Sequence, residues 1–224
     1  MSPPLPDSVA RFRQEYSRQE PGRHYRGWAH FAFTSLGSLA VIGLSLSRLS
    51  EVRPLEWLTV PVSFLVANLA EYLGHRHPMH HRRSGLGLVY RRHTQQHHHY
   101  FTHEAMAYGS SHDFRMVLFP PVMLLFFLGV IGTPIGVLLF LMTTANVGWL
   151  FVATVMGYFL TYEWLHFCHH LPPEHPVARL PLLARLRAHH QAHHDLRLMG
   201  RHNFNITFPL CDRLFGTVWK QPRA

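Results

Sequence analysis

Residues 116–170 read MVLFPPVMLLFFLGVIGTPIGVLLFLMTTANVGWLFVATVMGYFLTYEWLHFCHH. From Met116 to Tyr162 there is no Asp, Glu, Lys, Arg or His. A run of more than about 18 apolar residues reads as a membrane span, because about 20 residues of helix cross the hydrocarbon core. This run is long enough for two. We place span 3 at Val117–Gly132 and span 4 at Ile135–Tyr162, with Gly132-Thr133-Pro134 as the turn signal between them. Span 4 then runs without a break into Glu163-Trp164-Leu165-His166-Phe167-Cys168-His169-His170, stopped by Leu171-Pro172-Pro173. The fold follows from this junction. An apolar helix carries ligand-type side chains out through one face of the bilayer.

Upstream, Trp28 to Leu49 reads as span 1, with small residues (Ser35, Gly37, Ser38, Gly43) that favour close helix packing in lipid. Trp57 to Leu73 reads as span 2, anchored at the interface by Trp57. Pro78 is expected to end or kink that helix. The chain therefore divides as one membrane-embedded domain, 1–224. It has a basic lead-in (1–27), spans 1–2 (28–73), a His-rich segment (74–115), spans 3–4 (117–162) and a His-rich C-terminal block (163–224).

Charge sets the expected orientation. Net charge is +9 over 224 residues with histidine neutral, and Lys220 is the only lysine. All arginines but Arg48 and Arg53 fall on the side that holds the N-terminus and both His-rich blocks. The positive-inside rule makes that side cytoplasmic, with both termini on it. The arginines flank spans and histidine clusters instead of forming one basic face, which argues against nucleic-acid binding. Cys168 and Cys211 form no CxxC and no disulfide framework. The lead-in has no signal-peptide core. Arginine-rich, lysine-poor composition fits a bacterial protein, and hence the inner membrane.

Four stretches carry chemistry. His75 and His80 follow span 2. His93, His97 and His98 form HxxxHH. His166, His169 and His170 form HxxHH after span 4, and His190, His193 and His194 form another. On an α-helix, positions i, i+3 and i+4 share a face. Neutral imidazole ligates Zn, Fe, Cu and Ni. Eleven imidazoles exceed what one ion takes, so the count fits two ions. Glu71 and Glu163, with Asp195 and Asp212 behind them, are candidates to hold imidazole N–H groups from outside. His77, His81, His99, His103 and His189 crowd the same stretches as ambiguous ligands. His24, His30, His112 and His175 read as ordinary residues. Phe119, Phe126, Phe127, Phe140 and Trp149 are apolar enough to line an acyl channel, although packing or lipid contact is the commoner use.

These residues resemble the fatty acid hydroxylase superfamily, the membrane non-haem di-iron oxidases related to sterol desaturases. Glu71-Tyr72-Leu73-Gly74-His75-Arg76 with His80 resembles the first histidine box, His93 with His97-His98 the second, and Tyr162 to His170 the third. His190 with His193-His194, then Asn203-Phe204-Asn205 and Asp212-Arg213-Leu214-Phe215-Gly216-Thr217, resembles the closing box. The resemblance covers roughly Asn68 to Trp219. It implies an all-α integral membrane protein of about four spans under a cytosolic helical cap that holds two iron ions. The implied ligands are His75, His80, His93, His97, His98, His166, His169, His170, His190, His193 and His194. Zinc would suit the same set in a purified protein.

It also implies O2-dependent hydroxylation of an aliphatic C–H in a fatty acid or the acyl chain of a polar lipid. No flavin, haem or dinucleotide motif is present. Electrons must come from a separate donor, such as a ferredoxin or cytochrome b5-type protein. Desaturation at the same centre, a zinc-dependent membrane hydrolase and a metal transporter are the alternatives. Transporters place ionisable ligands near the bilayer midplane, and spans 3 and 4 have none there.

Overall fold

The computed structural model describes residues 5–19 and 24–220, and Arg23 of the lead-in lies outside them. The described residues are helical, with no strand. Helix α1 (Asp7–Gln19) precedes α2 (Gly27–Ser47) and α3 (Thr59–Gly74). A π-helical turn, His75–Met79, continues α3 directly, with Pro78 inside it. After a short helical turn at Phe114–Val117, the long apolar run forms α4 (Val122–Phe126). It passes through a second π-helical stretch, Phe127–Gly132, into α5 (Thr133–Met142). Then come α6 (Ala145–His169), α7 (Pro181–His193) and the short α8 (Leu210–Leu214). A further π-helical segment, Arg91–His97, carries the second histidine box.

Three helical stretches are long and apolar enough to cross a membrane: Gly27–Ser47, Ser111–Met142 and Ala145–His169. The expected span 2 is helical but shorter, with 16 residues in α3. Leu36, Leu65, Leu125 and Leu141 are exposed on α2, α3, α4 and α5 (57–73 %). Apolar surface on that scale has no partner in water and suits lipid. Helix α6 is the central element. Leu150 and Met156 are buried on it, and α2, α3 and α5 pack around it.

The turn between the last two spans differs from the expectation. Gly132 and Thr133 are helical (φ −63° and −66°). The chain reverses instead at Thr143–Thr144, where the Thr144 side chain caps α6 by accepting from the Val147 amide at 3.3 Å. Pro134 does not break the helix. The π-helical turn before it adds a residue to the spiral and relieves the clash a proline ring makes with the preceding turn. Gly136 and Gly148 then let α5 and α6 cross closely. A Cβ at Gly148 would come within 2.8 Å of the Gly136 carbonyl.

Candidate metal centre

The histidine boxes converge at one end of the helices. Nitrogen atoms of His75, His80, His93, His98 and His193 all lie within 4.8 Å of one another, and those of His97, His166, His170, His190 and His194 do the same. All ten residues are buried. Local geometry explains the grouping. His75 with His80, and His93 with His98, are five apart, the second of each pair capping a π-helical turn, where i and i+5 align. His166 with His170, and His190 with His194, are four apart on α6 and α7. Adjacent residues on a helix point about 100° apart. The pairs His97-His98 and His193-His194 therefore each send one imidazole to each group.

The tautomers follow from the outer nitrogens. His97 Nδ1 donates to the Met116 carbonyl at 2.7 Å, His170 Nδ1 to Met106 at 2.7 Å and His193 Nδ1 to His202 at 2.8 Å. His75 Nδ1 donates to the Phe204 carbonyl and His194 Nδ1 to the Phe101 carbonyl. Thr94 Oγ1 donates to the Met79 carbonyl, so it accepts from His80 Nδ1 at 3.2 Å. In each of these rings Nε2 is then the bare nitrogen. Yet His80 Nε2 lies 2.9 Å from His193 Nε2, and His97 Nε2 lies 3.2 Å from His194 Nε2. Two lone pairs cannot hydrogen-bond to each other.

Leaving a buried polar atom unpaired costs about 1–3 kcal/mol. Ten converging imidazoles would cost about 10–30 kcal/mol, as much as or more than the ~5–15 kcal/mol that holds a typical domain folded. A cation in each group removes that cost, so the donor set fits two metal ions. Burial pushes His75 and His97 down to about 4, and holds His80, His93, His98, His190, His193 and His194 well below the ordinary value. The rings are neutral near pH 7 and free to ligate.

Of the eleven histidines expected as ligands, His169 falls outside both groups. Its Nε2 donates to the Ile206 carbonyl at 3.1 Å. His166 and His170 share a face of α6, and His169 is rotated off it. The five ambiguous histidines also stay outside the groups. His189 Nε2 donates to Asp212 at 3.2 Å, His81 Nδ1 to the Arg76 carbonyl and His99 Nδ1 to the Thr94 carbonyl. His77 packs beside the exposed His81, and His103 lies 3.9 Å from Glu104.

The four carboxylates expected to hold imidazole N–H groups contact none of the ten rings. Main-chain carbonyls do that work, and two of the carboxylates hold the loop that carries them. Glu71 accepts from the Ile206 amide, from Tyr158 OH, and from the Thr207 amide and hydroxyl at 3.0 and 2.6 Å. Asp212 accepts from the Phe204 and Asn205 amides at 2.9 and 2.8 Å and from Thr217 Oγ1 at 2.6 Å. Burial pushes its carboxyl up, but the hydrogen bonds from His189, Thr217 and the two amides outweigh that and hold it below the usual range. Glu163 accepts only from the Phe119 amide, at 3.3 Å, and Asp195 pairs with Arg197, which holds its carboxyl at about 2.

The closing motif is a knot in this loop. Asn203 takes a left-handed conformation (φ 58°), donates to the His189 carbonyl and accepts from the Trp219 amide. Asn205 donates to the Asn68 carbonyl and accepts from the Cys211 and Asp212 amides. Asn68 in turn donates to Tyr158 OH and the Phe208 carbonyl. The sequence reading gave no role to Asn68 or Tyr158, and placed Asn203, Asn205 and Thr217 only within the closing motif. The usable signal was Asn68, a polar residue inside an apolar span.

A cavity of about 360 Å³ opens beside the centre. Val66, Ala67 and Ala70 form one wall, and Phe127, Ile131, Ile135, Phe151 and Phe159 the other. Glu71, Gly74, His75, Met79, Phe119, Tyr158 and Tyr162 close the end near the centre. Of the ten grouped histidines only His75 lines it, and no Lys or Arg does. Phe119 and Phe127 line it; Phe126, Phe140 and Trp149 do not. A space of this kind takes hydrocarbon, not a charged head group.

A family model described as fatty acid hydroxylase matches residues 60–217. The chain belongs to the fatty acid hydroxylase family. The match covers all four histidine boxes and the knot, and leaves α1 and α2 outside. Neither the curated proteins nor the solved structures include a match. Membership of this family, with three apolar helices of spanning length, makes the chain an integral membrane protein of a lipid-oxidising class.

Proposed function

We propose that this member of the family is a di-iron oxygenase that hydroxylates an aliphatic C–H of a fatty acid or of the acyl chain of a polar lipid. His75, His80, His93, His98 and His193 would hold one iron, and His97, His166, His170, His190 and His194 the other. The pair would supply dioxygen activation, drawing electrons from a separate ferredoxin or cytochrome b5-type donor. The single observation that carries this reading is the apolar cavity ending at His75, one of ten inward-facing imidazoles.

The chain's own residues do the rest. Val66, Ile135, Phe151 and Phe159 enclose the hydrocarbon and keep water out. Carbonyls of Phe204, His202, Phe101, Met106 and Met116 fix which imidazole nitrogen faces inward. Together with its flanking turns, Glu56–Leu58 and His75–Met79, α3 forms a fourth crossing element. The end that bears the centre is the cytoplasmic one, since the arginine excess lies there.

The test compares lipids from cells expressing the chain with cells expressing His193→Ala, with and without oxygen, by mass spectrometry. Lipids heavier by one oxygen atom, dependent on both oxygen and His193, are the expected result. Lipids lighter by two hydrogens would make the chain a desaturase. Absence of both products, from folded, metal-loaded protein with a working electron donor, would overturn the oxidase reading.

A further inference from the structure

Helix α1 lies outside the matched region, yet it reaches the centre through one side chain. It buries Val9 and Tyr16, sets Phe12 against the His99 ring at 5.7 Å and Tyr16 edge-on to Tyr100 at 5.9 Å. This packing aims Arg13 at the segment after the second box. Arg13 Nε donates to the Tyr100 carbonyl at 2.9 Å, and Nη2 donates to the Ala105 and Ala107 carbonyls at 3.0 and 3.3 Å. The guanidinium also lies over the Tyr100 and Phe101 rings, 4.8 and 5.1 Å from their centroids.

The carbonyls between those three serve the centre. Phe101, next to Tyr100, accepts from His194 Nδ1. Met106, between Ala105 and Ala107, accepts from His170 Nδ1 at 2.7 Å. The same segment donates back to both residues: the His103 amide to the His194 carbonyl at 3.2 Å, and the Tyr108 amide to the His170 carbonyl at 3.0 Å. In non-helical backbone successive carbonyls point to opposite sides. Ala105 and Ala107 therefore face Arg13 while Met106 faces His170. One planar fork grips the outer side of a strap whose inner side orients two imidazoles of the same group.

We propose that α1 is a clamp for the second histidine group, with Arg13 as a positioning residue for the ion held by His97, His166, His170, His190 and His194. The inference rests on the reading of the centre as a two-metal site. A lysine would keep the charge but not the fork, because an ammonium has no planar set of donors to span three carbonyls.

The test uses the purified full chain loaded with Fe2+ without oxygen, and follows iron per chain and the rate of its removal by a chelator. Wild type is expected to hold two ions. In Arg13→Ala one of them should bind about 10-fold to 100-fold more weakly, the range for outer partners of metal-bound histidines, while the other is unchanged. The Mössbauer component weakened in Arg13→Ala should be the one lost in His190→Ala, not in His80→Ala. Arg13→Lys should weaken the same ion by less, and it serves as the readout if Arg13→Ala does not fold. Two ions held as in wild type, or both weakened alike, would overturn the clamp. Wild type that binds no metal would instead overturn the centre itself.

Discussion

The two histidine groups are built from different backbone. The group of His75, His80, His93, His98 and His193 takes four of its five members from the two π-helical turns and the residues that cap them, at a spacing of five. The group of His97, His166, His170, His190 and His194 takes four from the last turns and C-caps of the regular helices α6 and α7, at a spacing of four. Their surroundings differ as well. The first touches the cavity through His75 and leans on the loop knotted by Asp212 and Glu71. The second has no face on the cavity and leans on the strap gripped by Arg13. The lesson is a division of labour. One group meets the apolar cavity and is built where the backbone is locally re-spaced, and the other is anchored in the helix frame.

The largest expected effect separates the groups directly. His80→Ala and His190→Ala should each lose one ion, measured as iron per chain, and each should bring turnover to background. Loss of both ions in either variant would break the comparison, since the groups would then assemble as one unit. Next comes the cavity. A Cβ at Gly74 would meet nothing within 4 Å, so Gly74→Leu fills the space beside His75 without straining α3. Turnover should fall about 100-fold, as for a misplaced substrate, with both ions retained. Retained turnover would place the substrate elsewhere.

Asp212→Asn should act more gently. It removes the charge that accepts two amides and two side chains, and turns an amide N–H toward one of those donors. The ion of the cavity-facing group should bind about 10-fold more weakly, and the other ion should change less. An equal loss from both would mean that His189 transmits the change along α7.

A separate effect is on acid stability without metal. Burial holds His75 and His97 at about 4, against an ordinary value near 6.5. Between those values the unfolded chain takes up protons that the folded chain refuses. Stability should therefore be steady above about pH 6.5 and fall as pH drops toward 4, by about 1.4 kcal/mol per pH unit for each such ring. Denaturant melts of metal-free protein across that range provide the measurement. A flat profile would mean the buried rings are already protonated in the folded state.

Much of this was legible in the sequence because membrane spans and ligand clusters are composition signals. The helical class and the convergence of the boxes follow from apolar runs and histidine spacing. The turn at Thr143–Thr144 was not legible, since it contains neither Gly nor Pro and its cap is a single threonine hydroxyl. Gly132-Thr133-Pro134 carried the stronger local signal, and helix packing overrode it. The pairing of His75 with His80 and of His93 with His98 was hidden for a different reason. A spacing of five aligns only on a π-helical turn, and no residue type marks such a turn. Which groups the carboxylates reach was not legible, because proximity in sequence does not say which polar atom a side chain meets. Glu71 is one helical turn before His75 but bonds across to Ile206 and Thr207.

Helix α7 supplies His193 to one group and His190 and His194 to the other. It follows the other three boxes, so in a chain made from its N-terminus neither group is complete until α7 has left the ribosome. Synthesis adds about 5–20 residues per second, so the earlier boxes stand open for seconds before their last ligands arrive. Completion of either ligand set thus waits for α7. An ion that arrives early meets at most four of the five nitrogens of the first group and three of the second.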